Sequence, residues 1–261
     1  MQTTTSHDGT SIAFERAGEG PPIIFVAGAF NDHNGSEPLA SALEQRFTTY
    51  IYDRRGRGSS GDHQPYAIQR EIEDIDALIR HAGGSALVVG HSSGAVLALL
   101  AAASGSNIDK MVLYGPPFLV DDSRPAPPAD LAEQLAELVT AGRRGDAVEL
   151  FQKDGVGMPE EVVLQLRNAP FRPALEAISH TLVYDALITG DLSLPTGTIA
   201  SIATPTLVLA GDASAPFLLS AARTVAHALA NGEYRLLPGQ AQDIDPAVTA
   251  PIVEAFLSET G

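Results

Sequence analysis

Ala86-Leu-Val-Val-Gly-His-Ser-Ser-Gly-Ala95 is the stretch around which the chain is organised. Its apolar opening, Ala86 to Val89, suits a buried strand, and the small residues from Ala95 to Ala103 read as a helix. Between them Gly90-His91-Ser92-Ser93-Gly94 makes a G-x-S-x-G pentapeptide, a pattern that acquires meaning only between a strand and a helix. The central side chain of so sharp a turn is held in a strained conformation, with its hydroxyl clear of the backbone. Gly90 and Gly94 are needed because a Cβ at either would collide as strand and helix close on each other. The Ser93 N–H, at the helix N-terminus, then points to where a negatively charged oxygen would form. Ser92 is therefore the candidate nucleophile, and the plainer alternative is a helix N-cap serine.

Outward from this turn, the composition narrows the class. The 261 residues suit one α/β domain with an insertion, large enough for a substantial core. Hydrophobic residues make up 44%, and no apolar run is long enough to span a bilayer. The N-terminal Met-Gln-Thr-Thr-Thr-Ser-His-Asp lacks the basic and apolar regions of a signal peptide, so cytoplasmic residence is the expectation. With no cysteine, disulfides, thiolate nucleophiles and Cys-ligated metals are excluded. A net charge of −16 argues against nucleic acid and anionic membranes as partners. None of the 7 histidines forms an i, i+4 pair with another, which argues against zinc. The expectation is a monomer or homodimer acting on a small molecule without cofactor or metal.

Taken in order, Ser11–Arg16 alternates as an N-terminal strand, and Ile23–Val26 is the next strand, followed by the Ala27-Gly28-Ala29-Phe30 turn. Ser36–Arg46 reads as a helix and Thr48–Tyr52 as a strand. Asp53 to Gly61 is rich in glycine and arginine, but it lacks the Lys-Ser/Thr of a P-loop and does not match a G-x-G-x-x-G run leading into a helix, so ion pairs bracing a loop are expected. Ile68–His81 carries apolar residues at helical spacing with acids on the other face. Ile108–Tyr114 is a strand, and a proline-rich shift begins at Gly115-Pro-Pro. From about Leu131 to Leu187 the periodicity is helical. Strands at Thr206–Ala210 and Tyr234–Leu237 alternate with helices at about Pro216–Ala230 and Val248–Glu259. Strand–helix alternation on both sides of the helical stretch predicts a doubly wound, mostly parallel sheet.

With these elements placed, the chain resembles the α/β-hydrolase superfamily over most of its length. Besides the serine turn, Asp53-Arg-Arg-Gly-Arg-Gly-Ser-Ser60 is similar to that family's loop after the fourth strand, and Pro22–Phe30 to its third strand and oxyanion loop. Leu237-Pro-Gly-Gln-Ala-Gln-Asp-Ile-Asp-Pro246 is similar to the loop that carries the catalytic histidine. The resemblance implies a core domain of residues 1–115 and 195–261 with a helical cap over 116–194. It also implies an oxyanion N–H from Ala29 beside that of Ser93, the plainer reading of 27–30 being a flexible glycine turn; Phe30, Phe118, His180 and Tyr184 are candidate pocket residues, with packing among the cap helices the plainer reading for most.

The histidine is missing. The family's spacing places Gln242 at that position, and an amide cannot hold a proton near neutrality. The acid is open between Asp121, after the strand 108–114, and Asp212, after the strand 206–210; loop aspartates are otherwise turn-formers. His180 shares a helix face with Tyr184 and is the best substitute base, with a structural role as the plainer reading. His91 is expected to point away from the serine, His227 to be at the surface, and His33 in a surface loop or at the pocket rim. Three functions compete. One is an acyl hydrolase for an ester, thioester or lactone; another is a cofactor-free cyclase, lyase or isomerase reusing the pocket; the third is a catalytically silent binding protein.

Overall fold

The structure, a computed structural model, describes residues 1–259. Its strands are β1 (Gln2–Thr5), β2 (Ser11–Ala17), β3 (Pro22–Val26), β4 (Thr48–Tyr52), β5 (Ala86–His91), β6 (Ile108–Tyr114), β7 (Thr206–Gly211) and β8 (Gly232–Leu237). They form a single 8-stranded sheet in the order β1-β2-β4-β3-β5-β6-β7-β8. β1, β2 and β4 pair antiparallel, and every pairing from β4 through β8 is parallel. The doubly wound sheet of the α/β-hydrolase type expected from the sequence is therefore present. β1 was not expected: Gln2-Thr-Thr-Thr5 has no apolar alternation, because this edge strand is largely exposed on both faces.

Helices flank the sheet: α1 (Glu37–Leu43), α2 (Ile68–His81) and α3 (Ser93–Ala103) before and after β5. Between β6 and β7 come α4 (Leu131–Thr140), α5 (Arg144–Leu150), a π turn at Phe151–Val156, α6 (Glu160–Leu166), α7 (Arg172–Ala177), α8 (Leu182–Thr189) and α9 (Thr196–Ala200). α10 (Pro216–Ala228) and α11 (Pro246–Ser258) complete the chain's helices.

Alternating side chains serve opposite faces of the sheet. Ile24, Val26 and Val88 join the core under α2, α3 and α10, whereas Ile23, Phe25, Leu87 and Val89 join the one under α1 and α11. α3 needs no polar face: Ala95 to Leu99 are all buried, and its small residues let it lie close to the sheet. The segment between β6 and β7 has a cluster of its own, including Leu131, Leu135, Val148, Phe151 and Leu182, against which Ala29 and Phe30 pack. Phe118 and Ile188, although within that segment, belong to the main core.

The parallel register brings the carboxyl ends of β3, β5, β6 and β7 together, with Val26 beside Gly90, His91 beside Tyr114, and Tyr114 beside Leu209. This edge is where open α/β sheets hold ligands. Its tightness depends on Gly94, where a Cβ would lie 2.7 Å from the Ala27 carbonyl oxygen and 2.8 Å from the Val26 carbonyl carbon. Gly94→Ala is expected to cost about 3 kcal/mol by overpacking, read as a lower midpoint in urea with an unchanged slope.

Candidate active site

β5 ends at His91 and α3 begins at Ser93, so Ser92 alone makes the turn, at φ 53° and ψ −122°. A serine held there stores roughly 1–3 kcal/mol of strain, which the surroundings must impose. Ser92 N–H donates to the Tyr114 carbonyl at 3.0 Å, and the Ser92 carbonyl accepts from Ala95 and Val96 N–H. Phe30 and Leu192 are the other two non-glycine residues at positive φ among those described.

Ser92 opens onto a cavity of about 480 Å³. Ala29, Ser92, Ser93 and Gln242 supply polar groups, and Phe151, Met158, Leu192, Phe217 and Leu218 supply apolar wall. No histidine among the described residues lines it. Arg124 stands in the wall with its guanidinium donating to the Asp154 and Val156 carbonyls and its plane 5.2 Å from the Phe217 ring.

Two backbone N–H groups face this space because of what holds the carbonyls of the same peptide units. In a trans peptide the C=O and N–H point in opposite directions. The Gly28 carbonyl accepts from Arg57 Nη1 at 2.7 Å, which turns the Ala29 N–H the other way. The Ser92 carbonyl is taken by the first turn of α3, which turns the Ser93 N–H out of the helix. Among the described residues neither N–H has a protein acceptor.

The guanidinium that orients Ala29 belongs to a buried ionic clasp. Arg54 holds Glu71 through two bonds, at 2.7 and 2.8 Å, and Asp185 Oδ1 at 2.8 Å. Arg57 holds Asp185 Oδ2 at 2.6 Å and the Asn31 carbonyl at 2.8 Å, and Ser93 Oγ donates to Asp185 Oδ1 at 2.8 Å. Arg55 pairs with Asp74 and Asp8. The ion pairs expected for the 53–61 loop are thus present, but Glu71 and Asp74 are buried beneath it and are not on a solvated helix face. Burial alone would push the Asp185 carboxyl up; the charges of Arg57 and Arg54, with hydrogen bonds from Arg54 and Ser93, outweigh it and hold the group below the ordinary carboxylate range.

Asp185 was missed as a site residue. A lone acid within Leu182-Val-Tyr-Asp-Ala-Leu-Ile188 was the available signal, since a charge on an apolar helix needs a buried partner.

The loop that carries Gln242 is pinned on several sides. Tyr114 Oη donates to the Ala241 carbonyl at 2.7 Å, His91 Nε2 to the Gln242 carbonyl at 3.0 Å, and Ala213 N–H to the Gln240 carbonyl at 2.8 Å. His91, whose pKa burial pushes down, is occupied in that contact and is turned to a second pocket with Gly28 and Asn31. Gln242 Nε2 donates to the Gly115 carbonyl at 3.2 Å, while its Oε1 is buried without a partner.

The structure does not bring either expected acid to Gln242. Asp121 is exposed and accepts from the Ser123 hydroxyl and N–H, and Asp212 accepts from Gly239 N–H at 2.7 Å at the surface end of the loop. Both act as turn-formers. Of the expected substrate contacts, Phe30 packs edge-on against the wall residue Phe151 at 5.4 Å. Phe118 lies in the main core.

His180 and Tyr184 face the arginine loop. Tyr184 stacks on Tyr66 at 3.9 Å and donates to Asp62, and a Cβ on Gly56 would lie 3.1 Å from His180 Nε2. Burial pushes the His180 pKa down, and its Nδ1 has no partner. His227 is exposed, and His33 donates through Nδ1 to Asp53 at 2.7 Å. Asp32, His33 and Asp53 present ligand-type atoms within 4.8 Å of one another. Asp53 already accepts from His33 N–H and Ser59 N–H, so its oxygens serve the loop.

A sequence model of the alpha/beta hydrolase family matches residues 23–246, and the chain belongs to that family, whose members are enzymes. It is similar to the crystal structure of an alpha/beta hydrolase from Sphaerobacter thermophilus, with 48% identity, a TM-score of 0.94 and coverage of 98% of this chain and 100% of that one. It is also 34% identical over 140 residues to an N-formylmaleamate deformylase of Pseudomonas putida, covering 51% of this chain and 52% of that protein. Similarity to a non-heme haloperoxidase of Rhodococcus erythropolis extends over 92% of both chains at 25% identity. The chain thus spans about half the length of the deformylase. No helix among the described residues is long and apolar enough to cross a membrane.

The clasp gives a signed pH prediction. Removing one partner of a buried ion pair costs about 3–5 kcal/mol, and Asp185→Asn is expected to lose that much at pH 7. Because the folded carboxyl titrates below its unfolded value of about 3.9, this contribution is present above that pH and is lost as pH falls through the lower folded value. Melting temperatures of the parent and Asp185→Asn should therefore converge in strong acid.

Proposed function

We propose that the chain is an α/β-hydrolase-fold enzyme acting on a small, largely apolar carbonyl compound such as an ester, thioester or lactone. Ser92 is the nucleophile, and the carbonyl oxygen is received by the N–H groups of Ala29 and Ser93. Residues 116–194 act as the cap that walls the cavity. The observation that carries this reading is Ser92 at φ 53° on the cavity wall, beside two N–H groups with no protein acceptor.

Donors fixed before the substrate arrives stabilise charge as it develops, at no reorganisation cost. What the site lacks is a proton acceptor, because Gln242 holds the position of the base. Losing the base of such a triad costs on the order of 10⁶ in turnover and leaves roughly 10³–10⁴ over water. Hydrolysis by the chain as it stands is accordingly slow. Exposure to a fluorophosphonate is expected to label Ser92 slowly, and Ser92→Ala to abolish the label. A parent chain that stays unlabelled after prolonged exposure would sink the proposal.

The absence of histidine from the cavity wall favours a second reading, a cofactor-free cyclase, lyase or isomerase that uses the same N–H groups for polarisation. Turnover that survives Ser92→Ala on a substrate bound in this cavity would select it.

A further inference from the structure

We propose that Arg124 is an anion-recognition residue of the Ser92 cavity, so that the compound bound there carries, besides its carbonyl group, a carboxylate on an apolar body. This rests on the reading of Ser92 as nucleophile and narrows its substrate class to half-esters, or the matching thioesters, of small dicarboxylic acids.

Arg124 enters the cavity wall from the loop between β6 and α4. Two neighbours shape the place of its guanidinium. The Phe217 ring lies 5.2 Å away, and a Cβ at Gly157, where φ is +84°, would come within 2.6 Å of Cζ. A side chain at 157 would therefore push the charged group out of its seat. Its N–H groups meet main chain only. Nη1 donates to the Val156 carbonyl at 2.6 Å and to that of Gly155 at 3.4 Å, Nη2 to that of Asp154 at 3.0 Å, and Nε to that of Pro125 at 3.3 Å. A guanidinium has five N–H donors, so one on Nη2 is left without an acceptor among the described residues.

The charge is left over as well. Arg54, Arg55, Arg57, Arg167 and Arg172 each meet a carboxylate at 2.6–2.7 Å. Arg124 forms no ion pair among the described residues, although it is half-buried. Burial pushes its pKa down, and the Asp154 carboxylate opposes that only through space. Asp243, the other ionisable side chain of the wall, belongs to the Gln242 end, where its charge acts on His91 and Tyr114. A cation whose partners are all neutral, on a wall otherwise formed by Phe151, Met158 and Leu218, is completed by an incoming anion. The net charge of −16 sharpens the point. The general field of the protein repels anions, so one is retained only where a local cation meets it.

A compound with its carbonyl oxygen at the Ala29 and Ser93 N–H groups would lay its methylenes on the apolar wall and give its carboxylate to Nη2. Carboxylate is the chemistry that a planar guanidinium fork fits best.

The test is calorimetric titration with monoethyl succinate, glutarate and adipate, each against its neutral amide counterpart of equal size. At least one half-ester is expected to bind the parent about 10- to 100-fold more tightly than its amide. In Arg124→Gln, which keeps an amide N–H for the 154–156 carbonyls, the order should reverse, because only the repulsive field remains. Arg124→Lys keeps the charge without the fork, and its preference should fall but persist. An arginine that merely clamps the 154–156 turn would, when replaced, weaken acid and amide together and leave their ratio intact.

A parent with no preference for any half-ester over its amide would overturn the assignment, as would an undiminished preference in Arg124→Gln or Arg124→Lys. Fluorophosphonate labelling of Ser92 on the same proteins separates the two layers. A labelled serine with no acid-over-amide preference ends this inference alone. An unlabelled serine ends the nucleophile reading and with it the half-ester class, while the affinity ratio still decides Arg124.

Discussion

One carboxylate, that of Asp185, sets the geometry on which the rest depends. It receives Arg54, Arg57 and Ser93 at once, entirely out of water, and so ties the helix 182–189 to the loop after β4 and to the serine turn. Arg57 extends the same network to the Gly28 and Asn31 carbonyls. A buried ion cluster of this kind need not be more stable than an apolar core of equal volume, but it admits few alternative arrangements. Its yield here is orientation: a peptide whose carbonyl is claimed by a guanidinium presents its N–H to the opposite side. The direction of a backbone group in the cavity is thus decided by charges that never touch the cavity.

The site divides into two parts with different dependence on sequence. The Ala29 and Ser93 N–H groups belong to the backbone, and their placing follows from the fold, from two glycines and from the clasp. A group that moves protons would have to be a side chain, and with Gln242 in the loop after β8 it is absent without disturbing the first. Ser92 retains its strained turn although no base adjoins it, because the turn is imposed by the β5–α3 junction and by Tyr114, and not by a histidine.

The sequence announced most of the fold. Apolar runs such as Ile23–Val26 and Thr206–Ala210, the spacing in Ile68–His81 and the Gly-bounded Ser92 were enough for the sheet, the flanking helices and the serine turn. What stayed hidden was through-space. Arg54, Arg55 and Arg57 promised ion pairs, but Asp185 lies far along the chain and looks like any helix acid. Asp121 and Asp212 were credible acids because each follows a strand; which way a loop carboxylate turns is settled by a nearby N–H, and Ser123 and Gly239 are those donors. β1 escaped because a two-sided polar edge strand has no period to detect.

The bond between Ser93 and Asp185 also bears on how anything enters or leaves. The helix that carries Asp185 is bolted through a desolvated charge to the floor of the cavity, so lifting it would strand two guanidinium groups in a dry interior. The Gly155-Val-Gly-Met-Pro159 stretch of the wall has no such charge beneath it, and Arg124 reaches it through the Val156 carbonyl. Two walls of one cavity are thus secured by unlike bonds, a desolvated charge under helix 182–189 and a guanidinium on a backbone carbonyl at 156.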